Sequence, residues 1–97
     1  MNKKIYSAVM ERANGYCEVC NRYFGEKLQL HHIVSGTGKR QKYETLTSCI
    51  AVCIECHNEI HSNRKLDLAL KKLVQEKYFR QGLNEKEVRE KMGGRIY

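Results

Sequence analysis

Proline and tryptophan are absent from this 97-residue chain, and phenylalanine occurs only twice. Without proline there is no Pro-rich linker, and no repeat or low-complexity tract marks a second domain. With no tryptophan, 41% apolar residues and a mean hydropathy of -0.65, the chain can build a core, but a small one. No run approaches the ~18 apolar residues of a membrane span. The basic start Met1-Asn-Lys-Lys-Ile-Tyr is not followed by the apolar stretch of a secretory signal. The expectation is a single domain over residues 1–97, cytoplasmic and without a membrane partner.

Acid is the scarcer charge. Eighteen Lys+Arg against eleven Asp+Glu leave +7, with a pI near 9.3. That excess suits a polyanionic partner, nucleic acid in particular, although an inert basic surface has the same composition.

Five cysteines are an odd number, and in a reducing compartment they argue against a disulfide framework. Four of them form two knuckles of identical spacing, Cys17-Glu-Val-Cys20 and Cys53-Ile-Glu-Cys56, with 32 residues between. Each knuckle can give two thiolates to a tetrahedral structural Zn2+. A metal staple is what a domain with so small a core needs, and structural zinc contributes roughly 10–16 kcal/mol in finger peptides at neutral pH. Cys53 to His57 also matches the haem-attachment pattern CxxCH. A c-type haem requires an export context, however, and would leave the first knuckle without a role. Cys49, the leftover, lies in an apolar run and reads as a small buried hydrophobe.

Histidine is present four times, as His31-His32 between the knuckles and as His57 and His61 just after the second. Residues at i and i+4 lie on one helical face, so His57 and His61 can hold one metal. Imidazoles suit a second, open site at which a metal could act on a substrate.

The pattern predicts an α+β fold. Residues 3–14 read as a helix ended by Asn14-Gly15, and residues 28–34 alternate as a strand. Residues 35–42 form a basic glycine-containing loop. Residues 45–52, rich in Thr, Ile and Val, read as a second strand leading into the second knuckle. A helix is expected to open at His57. Leu66, Leu70, Leu73, Val74 and Tyr78 form the apolar stripe of another helix to about Gln81, expected to pack on the N-terminal one. Asn84 with Glu87 resembles a capping box for a last helix, residues 85–92.

Taken together, CxxC, then Leu30-His31-His32-Ile33, a basic Gly loop, and Cys53-Ile-Glu-Cys56-His57-Asn-Glu-Ile-His61 resemble the HNH endonucleases, the ββα-metal nucleases. The resemblance covers about residues 12–62. It implies a ββα-metal fold stapled by the two knuckles, with an N-terminal helix and a C-terminal helical extension over about 64–97. It further implies His31 and His57 as ligands of a catalytic divalent cation (Mg2+, Mn2+, Ni2+ or Zn2+). His61 fits the further helical histidine of colicin-type members. His32 takes the place of the general base that activates water, a role suited to a neutral imidazole with a pKa near 6.5. The implied activity is hydrolysis of DNA phosphodiester bonds, by nicking or double-strand cutting, leaving 5′-phosphates. Small free-standing members resemble phage or mobile-element proteins, which by analogy places the chain in a bacterial or phage-infected cell.

One position departs from the family pattern. The middle Asn, five residues before the third Cys, is Ser48 here, and no other Asn lies between Val34 and Ile54. The Asn braces the loop that orients the base, a catalytic support that a hydroxyl could supply in part. Lys39, Arg40, Lys42, Arg64 and Lys65 are the phosphate-contact candidates, since cations near a backbone release counterions. Arg12 and Arg22 are weaker ones. Phosphate contacts position DNA without reading its bases, so loose or structure-based specificity is expected. The rival reading is a zinc-ribbon-like module that binds nucleic acid without cutting. A third is an adaptor whose C-terminal helices dock a protein through an exposed Leu66–Tyr78 stripe.

Overall fold

The computed structural model describes residues 2–34 and 43–97. Helix α1 spans Lys3–Ala13. The Asn2 side chain caps it by accepting from the Lys4 and Ile5 amides, and Asn14 ends it in the left-handed conformation. Val9 and Ala13 on its inner face are buried. A tight loop through the first knuckle follows, closed by an isolated bridge between Tyr16 and Tyr23. One 3-10 turn, Gly25–Lys27, leads into strand β1, Gln29–His32. Strand β2 is Cys49–Val52 and pairs antiparallel with β1, placing His31 opposite Ile50 and His32 opposite Cys49.

Both strands are shorter than their sequence patterns suggest. Ladder pairing continues for one bond beyond them, from the Ile33 amide to the Ser48 carbonyl at 2.9 Å. Residues 46–48 are then a turn. The Thr45 and Ser48 hydroxyls take up backbone groups there that a longer strand would have paired, so residues rich in β propensity are held out of the ladder.

Helix α2, Ile54–Ser62, begins three residues earlier than expected, because Cys53 itself is the N-cap and its sulfur accepts from the Cys56 amide. Asn63 then ends α2 and caps α3, Arg64–Arg80, by accepting from the Leu66 amide. The last helix, α4, is Glu85–Lys91, and its Asn84/Glu87 capping box is formed in both directions.

Among the described residues β2 leads directly into α2, and α2 lies against β1. Helix α1 covers β2 and β1. The apolar stripe of α3 packs mainly on α2 and α4, and its Val74 and Tyr78 share one buried cluster with Val9 and Ala13 of α1. Val74 and Tyr78 are buried, and of the stripe Leu73 alone is largely exposed. Val9, Val52, Ile60, Val74, Val88 and Met92 belong to one continuous core, which therefore joins the C-terminal helices to the β–β–α unit. Among the described residues, no helix is long and apolar enough to cross a membrane.

Candidate metal centres and the residues around them

The first knuckle is fixed by its own backbone. The Cys17 amide bonds the Arg22 carbonyl, the Asn21 amide bonds the Cys17 carbonyl, and the Cys20 amide points at the Cys17 sulfur at 3.5 Å. The second repeats that last contact, Cys56 amide to Cys53 sulfur at 3.5 Å, at the start of α2. There the exposed amides and the helix dipole favour negative charge. The Glu18 carboxylate takes a two-pronged grip on the Arg12 guanidinium (2.9 Å each) and also accepts from the Ala51 amide, while the Glu18 amide donates to the Ala51 carbonyl. The knuckle is thereby laid along the outer side of β2, next to the second knuckle.

The result brings the sulfurs of Cys17, Cys20, Cys53 and Cys56 within 4.8 Å of one another. The Cys20–Cys53 separation of 4.0 Å is close to the ~3.8 Å edge of a tetrahedron with 2.3 Å Zn–S bonds. The charges point the same way. The Arg22 backbone and guanidinium hold the Cys20 thiol down to about 6, whereas burial and the other three sulfurs push Cys56 well above the usual thiol range. Four such groups cannot all ionise without a cation among them. This donor set fits a metal such as zinc.

Cys49 is wholly buried outside this group, with its thiol raised chiefly by burial, as a packing residue should be.

A second group forms where β1 meets α2. The His31, His57 and His61 rings lie 4.8 to 5.4 Å apart, centre to centre, with a ligand atom from each within 4.8 Å of the others. His31 is 6% exposed, and its Nε2 is a buried polar atom with no hydrogen-bond partner. Burial, followed by His57 and His61, lowers His31 to about 4, and burial with His61 also lowers His57. Neutral imidazoles with free lone pairs are what a cation binds. His57 Nδ1 donates to Gln29 Oε1 at 2.7 Å, which leaves its Nε2 for a metal. Gln29 was not among the residues singled out by sequence. The signal that could have found it is its position two residues before His31, on the same face of the strand.

His32 points away from this trio, as adjacent strand residues do. Its Nε2 donates to the Glu44 carboxylate, and the two side chains are only 8% and 2% exposed. Glu44 also accepts from the Asn2 amide at 2.8 Å and is held below the usual carboxylate range, first by His32. No periodicity marks Glu44 in the sequence, because the contact joins residues twelve apart in the chain.

Ser48 is completely buried. Its hydroxyl donates to the Tyr43 carbonyl at 2.7 Å and accepts from the Thr45 amide at 3.0 Å, so it braces the turn on both sides of Glu44. That geometry makes it a support of the turn that carries Glu44.

Of the basic candidates, Arg64 and Lys65 are exposed at the start of α3, directly after the histidine helix. Lys39, Arg40 and Lys42 lie outside the described residues. Arg12 is committed to Glu18 and to the carbonyls of Leu46 and Cys49, and Arg22 faces Glu55, so both are structural. No family model matches the chain and no curated protein matches it, so the functional reading rests on the chemistry of these residues.

Proposed function

We propose that the protein is a metal-dependent HNH-type endonuclease that hydrolyses DNA phosphodiester bonds. One observation carries the reading above the others: the buried, unpartnered Nε2 of His31 within a cluster of three imidazoles, one residue along the strand from a histidine paired with a carboxylate. Binding nucleic acid requires neither feature. A divalent cation held by His31, His57 and His61 would polarise the phosphate and neutralise charge on the leaving oxygen. A three-histidine set leans towards the later transition metals.

The chain's own residues do the remaining work. His32 takes a proton from water; the water oxygen bonds to phosphorus as the P–O3′ bond breaks. The 3′ oxygen regains a proton from solvent, leaving a 5′-phosphate. Gln29 fixes the His57 ring. Arg64 and Lys65 hold flanking phosphates without reading bases. Cys53 and Cys56 anchor the first turn of α2, with His57 the next residue and His61 one turn on, so a structural zinc would help to set the histidine geometry.

The test is supercoiled-plasmid nicking by metal-stripped protein resupplied with Mg2+, Mn2+, Ni2+ or Zn2+, beside His32→Ala. The expected result is nicking that needs metal and falls about 10²–10⁴-fold in the variant, with the cysteine site still loaded. Salt-sensitive DNA binding without nicking under any metal would replace this reading with that of a binding module.

A further inference from the structure

The nuclease reading leaves unexplained why a carboxylate should be almost completely enclosed against His32. A buried carboxylate is costly unless it is paired and hydrogen-bonded. Glu44 meets both conditions, with one oxygen on His32 Nε2 and the other on the Asn2 amide at 2.8 Å. Its backbone is held as firmly. The Ser48 hydroxyl grips the Tyr43 carbonyl before it and the Thr45 amide after it. Thr45 Oγ1 bonds Ser48 Oγ at 3.2 Å and the Tyr78 hydroxyl at 2.6 Å, and Tyr78 is itself buried in α3. A chain of hydroxyls therefore runs from the C-terminal helices to the turn that presents Glu44.

We infer that Glu44 is a positioning residue for His32, fixing the ring through Nε2 so that Nδ1 is the nitrogen that receives the proton from water. This rests on the nuclease reading above. Among the described residues, Glu44 is the only hydrogen-bond partner of the His32 ring, so this bond assigns distinct roles to its two nitrogens. With the proton of the neutral ring on Nε2, facing the carboxylate, the lone pair is on Nδ1. When water gives up its proton, the imidazolium that forms lies against an anion already in place. The arrangement follows the same logic as a carboxylate orienting a histidine base in acyl transfer.

The experiment measures kcat and KM for plasmid nicking by wild type, Glu44→Gln, His32→Ala and the double variant, with zinc content and circular dichroism checked for each. A second readout is the 15N spectrum of His32 in the metal-loaded protein. Glu44→Gln is expected to lower kcat by about 10²-fold or more, leave KM unchanged, and add nothing in the His32→Ala background, because residues that act as a unit are not additive. Wild-type His32 should carry its proton on Nε2. Full kcat in Glu44→Gln, a loss expressed through KM, an equal loss in the His32→Ala background, or a proton on Nδ1 would each overturn the inference. Wild-type nicking undiminished in His32→Ala would instead remove His32 as the base, whatever Glu44 does. Absence of nicking in wild type would remove both readings.

Discussion

At the residue scale, spacing is what made the site legible. Two CxxC pairs and an i, i+4 histidine pair can be read without coordinates, because the knuckle and the helix have fixed geometry. Gln29 could have been found from strand alternation. Glu44 could not, since a contact between residues twelve apart in the chain leaves no periodic trace. The role of Gln29 can be measured directly: Gln29→Ala should weaken metal binding at the histidine site about 10–100-fold in a calorimetric titration, with the cysteine site unaffected. Gly15 makes a second prediction. It sits at φ +85°, and a Cβ there would come 2.5 Å from the Tyr23 ring. The left-handed conformation alone costs a non-glycine residue roughly 1–2 kcal/mol. Gly15→Ala should therefore lower Tm, and displacement of Tyr23 should show as a change in its fluorescence or ring NMR signals.

Among the elements, helices were read more accurately than strands, for a local reason. Caps are chemical signals carried by single residues: Asn14 ends α1, and Asn84 with Glu87 starts α4, as expected. Strand ends depend on which partner takes each backbone group. At Thr45 and Ser48 nearby side chains take them instead of the ladder. The N-cap sulfur of Cys53 likewise starts α2 before the first histidine, where apolar periodicity gives no cue. Asn63 joins the histidine helix to α3 as the end of one and the cap of the other. Asn63→Ala should cost about 1 kcal/mol, seen as a lower denaturant midpoint at unchanged slope. The stripe of α3 was recognised, but not its packing on α2 and α4. Periodicity names a buried face without naming what it packs against.

On the scale of the whole molecule, the small core and the four-cysteine group point to a fold that depends on metal. With zinc on the four cysteines, its chelation should remove most of the stabilisation, since such sites are worth roughly 10–16 kcal/mol in small domains. Far-UV circular dichroism should then show cooperative loss of helix, reversed by zinc. On the proposed nuclease reading, DNA affinity should fall with salt at a log–log slope of about −0.9 per phosphate neutralised, and Arg64→Ala or Lys65→Ala should each reduce that slope by about one. The grip of Glu18 on both backbone groups of Ala51 has a consequence at this scale. Cys49-Ile50-Ala51-Val52 is an uncharged run with one side facing β1 and the other closed off by the first knuckle. Release of the metal would free that knuckle and leave a bare sheet edge, a template on which other chains can add. Loss of zinc at high protein concentration would then end in self-association of this strand before the unfolded chain could be recovered.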